Sequence, residues 1–175
     1  MKIIEALKEL PLIEKKIEKN NQLTKKYSSA LVVGEIGQFD FETEEKQRVE
    51  VSALIQSTND LLDRKAKIRR ALAITNATVK VTINGVTRTI TEWIEYRQKG
   101  IDAQIQAQMA LDVFNGNQQL DLMQGRVDVG AGVKLVRFFD EKSKNDEVSK
   151  LQDLKAAIDP QLEMVNATTD LVEAV

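Results

Sequence analysis

Two absences limit the chemistry this chain can do: it has no cysteine and no histidine. Thiolate nucleophiles, CxxC redox pairs and disulfides are impossible without cysteine. Zinc sites built on Cys or His and the Ser-His-Asp triad are excluded as well. The one side chain whose ordinary pKa lies near neutrality is missing. Four groupings remain. Asp40, Glu42, Glu44 and Glu45 form an acidic cluster of the kind that holds a hard cation. No EF-hand spacing accompanies it, and acidic residues at the start of a solvated helix account for the same cluster through the macrodipole. Gly125, Gly130 and Gly132 lie close together. Neither a Gly-Lys-Ser/Thr nor a GxGxxG pattern follows, so a β-turn is expected rather than a phosphate cradle.

Arg64, Lys65, Lys67, Arg69 and Arg70 make the only basic run. At about 100° per residue they spread around a helix rather than share a face, and no aromatic residue among them could stack on a base. A solvated helix is the expected reading, and there is no strong nucleic-acid signal. Val133–Phe139 alternates weakly and carries Lys134 and Arg137. A pore-forming hairpin could read this way, but one such segment is too little for a barrel, and a half-buried strand is the commoner case. Trp93, the single tryptophan, either packs in a core beneath a hairpin or anchors an interface. No catalytic, cofactor-binding or metal-binding residue is expected, no cofactor, and no enzymatic activity.

Apolar residues make up 42% of the 175 and charged residues 30%, which fits one helical domain, 1–175, with a real core and solvated helix faces. The net charge of -2 creates no field to concentrate nucleic acid or anionic membrane. Charges interrupt every apolar run near Met1, so no signal peptide is expected. No run approaches the ~18 apolar residues of a membrane-spanning helix. A cytoplasmic location follows as the expectation, or a virion if the gene is a phage's.

The elements read as follows. Ile3, Leu7, Leu10, Ile13 and Ile17 recur at helical spacing and predict a helix over 2–27, with Pro11 kinking or restarting it. Residues 28–41 read as two short extended pieces around a turn. Thr43-Glu44-Glu45 opens a second helix that ends near Asn76, a residue that tolerates the left-handed conformation. Asn84-Gly85 between β-branched residues predicts a hairpin over 79–90 with a type I′ turn. Thr89 and Glu92 form a capping box that opens a third helix reaching about Phe114. Asn115-Gly116-Asn117 reads as a turn, 117–126 is ambiguous, and a second hairpin is expected over 127–139. A last helix runs from about Ser143 to Asn166, kinked or restarted at Pro160. The fold class is mainly α with some β (α+β): long antiparallel helices forming a bundle or coiled coil, with one or two β-hairpins.

The second helix ends Ile74-Thr75-Asn76-Ala77-Thr78 and the last ends Met164-Val165-Asn166-Ala167-Thr168, a faint internal echo. Both Asn residues match a glycosylation sequon, but helix ends explain them. These endings, with Thr89-Ile90-Thr91-Glu92 and the Leu162–Leu171 tail, resemble the septicolysin-like family of small bacterial proteins. The chain departs from that pattern at Ala167, at Pro160 and in the long 79–90 hairpin. The resemblance implies a helical, oligomeric protein and carries no residue with a known activity; the family name alone hints at haemolysis.

The expected function is that of a non-enzymatic, self-associating structural protein, a repeated subunit of a larger assembly such as a phage particle. A binding module for nucleic acid or membrane is the alternative. The partner is a second copy, with other subunits of an assembly beyond it. The expected contact is the seam Val51, Leu54, Leu61, Lys65, Ile68 and Leu72, which Thr58 and Lys65 interrupt. A helix of thirty-odd residues reaches about 50 Å, against a radius of gyration of about 16 Å for a compact chain of this size. Part of the seam should therefore be free for a partner. Lys65 should snorkel out or meet a carboxylate of a neighbouring helix. Leu61→Asp should lower the assembled mass, and an exposed change such as Gln47→Asp should not.

Overall fold

A computed structural model describes residues 1–33, 36–124 and 134–172. Among the described residues the chain is mainly helical, with two small antiparallel sheets of two strands each. It divides into two compact units: residues 1–79 with 164–175, and residues 80–163.

In the first unit, α1 (Ile3–Tyr27) and α2 (Glu44–Thr78) pack against each other. They run antiparallel: Asn20 bonds Ser57 and Gln47 reaches back to the Tyr27 carbonyl. Between them β1 (Leu31–Val33) pairs with β2 (Ile36–Gln38), as the two extended pieces over 28–41 predict. The Thr43 hydroxyl accepts from Lys46 N at 3.2 Å and starts α2, satisfying one of the free donors at a helix start. The core holds Ile3, Ala6, Ile13, Leu54, Ile68 and Leu72. Gln47, expected to be exposed, is buried: its amide donates to the Tyr27 carbonyl at 2.8 Å and accepts from Asp40 N at 3.0 Å. It thereby ties both ends of the α1–α2 connection. Pro11 neither restarts α1 nor ends it. Pro11 and Leu7, whose carbonyl loses its donor, are both exposed, so the missing helix bond falls on an exposed face of α1. Asn76 does not turn left-handed either. Helix α2 runs two residues past it and passes into the extended Val79, whose N–H still reaches the Thr75 carbonyl at 2.9 Å.

In the second unit, β3 (Lys80–Ile83) and β4 (Val86–Thr89) form the expected hairpin. Asn84 and Gly85 take φ of 48° and 82°, the two positive values a type I′ turn requires. Gly85→Ala should lower stability by about 1 kcal/mol, read as a drop in the thermal midpoint, since an alanine there must hold a positive φ. The Thr89–Glu92 capping box opens α3 (Ile90–Glu95) as predicted. A π-helical turn (Tyr96–Gly100) then leads into α4 (Ile101–Met109). The helix stops there, short of Phe114, and α5 (Phe114–Gln124) begins after a loop.

The turn expected at Asn115-Gly116-Asn117 is therefore helical. Asp112 caps α5 by accepting from Phe114 N at 3.0 Å. Gly116 faces Leu135, where a Cβ would come within 2.3 Å of a leucine methyl. Close packing explains this glycine, not a turn. Residues 125–133, with most of the expected second hairpin and the three clustered glycines, lie outside the described residues. The described end of that hairpin, 134–139, forms no strand. Helix α6 (Glu141–Thr168) starts on an Asp140 cap that accepts from Ser143 N at 2.7 Å, and it continues through Pro160. Here too the proline and the residue four before it, Ala156, are exposed.

Candidate self-association surface

The seam residues of α2 do come together on one face, and α1 covers most of that face within the same chain. Leu54, Ile68 and Leu72 are buried, while Val51, Leu61 and Lys65 are partly covered. Lys65 meets the expected carboxylate: its ammonium lies 2.8 Å from Glu14 on α1. This lets a charge sit inside an apolar stripe with its stem covered and its head neutralised.

What sequence reasoning missed lies beside the seam. On a helix of about 100° per residue, Ile55 and Leu62 sit about 80–100° around from Leu54, past the edge of the covered face. They are 50% and 47% exposed. Leu62 borders a shallow groove with Ile17, Glu14, Glu18 and Lys65. The signal was present, since the two residues are seven apart on a helix, but the periodicity cannot say how wide a face α1 covers.

The basic run is largely engaged by α1. Arg64 donates two bonds to Glu9, at 2.9 and 3.1 Å, and Arg69 lies 3.4 Å from Glu14. The Arg64 hydrogen bond holds the Glu9 carboxyl below its ordinary value, and the Lys65 hydrogen bond does the same for Glu14. Both carboxylates have a depressed folded-state pKa. Their contribution is complete above the ordinary carboxylate value of 4.5 and is lost as the pH falls through the lower folded values. Titrating the thermal midpoint from pH 7 to 3 should therefore show a fall that is smaller in a Glu9→Gln/Glu14→Gln variant.

The acidic cluster is spent on neighbouring cations. Asp40 pairs with Lys26 at 3.1 Å, Glu42 with Lys46, and Glu44 with Arg48 at 2.7 Å. Among the described residues no three carboxylates converge as a metal site requires. Trp93 is core: it is fully buried, and its indole N–H donates to the Val81 carbonyl at 2.9 Å. Arg88 lies over the rings of Trp93 and Tyr96, 3.8 Å from the centre of the latter. In the stretch expected to be a half-buried strand, Lys134–Phe138 is exposed, and Phe138 is 96% so. Among the described residues no helix is long and apolar enough to cross a membrane.

Comparison with known proteins returns nothing to set beside this geometry: no family model, no curated protein and no solved structure matches the chain.

Proposed function

We propose that this protein is a non-enzymatic structural component that works as copies of itself, a repeated subunit of a larger assembly such as a phage particle. In this reading it acts in the cytoplasm, or in the virion if a phage encodes it. The observation that carries the proposal is the apolar flank of α2. Ile55 and Leu62 stay exposed one step from the covered seam, on a helix of 35 residues. Surface apolar residues in line on a rigid element are the usual material of a helix-to-helix contact. A second copy offering the same flank would extend the α1–α2 pair into a bundle, with the Lys65–Glu14 pair at its border fixing register. The resemblance to the septicolysin-like family, which implies an oligomeric helical protein, points the same way.

Light scattering after size exclusion tests the proposal at tens of micromolar. A multiple of 19.7 kDa is expected, and 19.7 kDa itself would overturn the reading. Leu62→Asp should lower the mass, whereas Ala53→Asp, exposed on the far side of α2, should not. Retention of the wild-type protein on heparin, or its pelleting with anionic vesicles, would favour a nucleic-acid or membrane module instead.

A further inference from the structure

The free side of α2 is organised along a single line. Ile55, Leu62, Ala66 and Ala73 all fall within about 20° of it, at about 100° per residue. All four are exposed. Leu54, Ile68 and Leu72, which mark the face buried against α1, lie about 100–140° around the helix. The line is therefore clear of α1. Its two alanines let another helix come close, toward the short end of the usual ~8–10 Å between packed axes.

Charge divides along this line. At its start stand Glu44, Glu45 and Arg48. Arg48 is already engaged, 2.7 Å from Glu44 and 4.0 Å from Glu45, so one acid is left in excess. At its end stand Arg69 and Arg70, and α2 has no acidic residue after Asp63 to offset them. Glu14 of α1 lies 3.4 Å from Arg69, but the same carboxylate lies 2.8 Å from Lys65, so one acid serves two cations. The rest of the helix repeats the division. Glu50, Asp60 and Asp63 precede Arg64, Lys65 and Lys67. One exposed face thus runs from an acidic end to a basic end.

We infer that a second copy of the chain docks on this side of α2 antiparallel to it, with a two-fold axis close to Asn59, so that Ile55 lies level with the partner's Leu62. The inference rests on the self-association proposed above and adds the orientation and register of the contact. A parallel copy in register would set Arg69 and Arg70 against the same two cations, and Glu44 and Glu45 against the same two acids. The antiparallel copy sets the acidic end of each helix beside the basic end of the other. Charges of this kind choose orientation more than they add affinity; the apolar line supplies the contact. A two-fold contact uses one patch twice, so the patch must match itself when reversed. This one does. Ile55 and Leu62 stand on either side of Asn59, four and three positions away. Asn59 is exposed and faces its own copy near the axis, where a primary amide can both donate and accept.

Disulfide cross-linking of the full chain tests the orientation. The protein has no cysteine, so introduced ones report their neighbours without background. Ser52 and Ala66 are exposed on the docking side. In the antiparallel pair, position 52 of one copy lies level with position 66 of the other. The two copies of position 52 lie about 20 Å apart along the axis, far beyond the ~7 Å between Cα atoms that a disulfide spans. Mild oxidation of Ser52→Cys mixed with Ala66→Cys should therefore give a covalent dimer on non-reducing electrophoresis, and neither variant alone should. Dimers from Ser52→Cys alone and from Ala66→Cys alone would reveal a parallel pair and overturn the inference. Equal linking of Ala66→Cys with Ala53→Cys, on the far side of α2, would overturn it as random collision. A wild-type mass that is a multiple of 19.7 kDa, with no cross-link in any mixture, would place the contact on another surface and leave self-association standing. A wild-type mass of 19.7 kDa would remove both.

Discussion

Trp93→Ala is expected to lower the stability of the second unit by about 3–5 kcal/mol, a typical loss for deleting a large buried aromatic side chain. Trp93 is fully buried, and its indole N–H holds the Val81 carbonyl of β3 at 2.9 Å. The ring also packs edge-on to Tyr96 at 5.9 Å and lies beneath Arg88. Truncation therefore opens a cavity, frees a buried carbonyl and removes the surface on which the hairpin and α3 meet. Trp93→Phe should restore most of the packing but not the hydrogen bond, and should lose about 1–2 kcal/mol. Denaturant unfolding followed by circular dichroism measures both. A Trp93→Ala protein within about 1 kcal/mol of wild type would contradict the core assignment.

Ile158→Asp should leave no stably folded second unit, whereas Val49→Asp should be nearly silent. The two residues are similar in hydrophobicity and both lie on long helices, but Ile158 is fully buried and Val49 is 58% exposed. A carboxylate at 158 would have to stay charged without a partner or take up a proton, at a cost of several kcal/mol either way. That approaches the whole stability of an ordinary domain, about 5–15 kcal/mol. Amide hydrogen exchange resolves the outcome by segment. Fast exchange in 80–109 and 141–163 of Ile158→Asp is expected, and wild-type protection there would be incompatible with the packing.

Helix starts were legible because they are written in short range: Thr43 and Thr89 cap through their own hydroxyls, which needs only a few residues of context. Asn84-Gly85 is legible for the same reason. Errors arose where a distant residue decides. Asn115-Gly116-Asn117 has the composition of a turn, but Gly116 is small because Leu135 packs against it. Pro11 and Pro160 could restart a helix by local rule, yet α1 and α6 run through them, and both prolines sit on exposed faces. The α2 seam was legible as a stripe, and the Lys65 carboxylate partner was foreseeable from its place in the arc. Which part of the stripe remains open was not, because that depends on where α1 lies.

The placement of the single tryptophan makes the second unit optically distinct. Trp93 is the only indole in the chain, and it sits dry beside a guanidinium in that unit alone. Its emission should be blue-shifted in the native protein and should red-shift only when that unit opens. Far-ultraviolet ellipticity, by contrast, sums the helices of both units. Recording the two signals on one heated sample amounts to a test of cooperativity. Superimposable curves mean that the two units melt together. An emission change that precedes or trails the ellipticity means that each unit keeps its own melting point, and assigns the fluorescent one to residues 80–163.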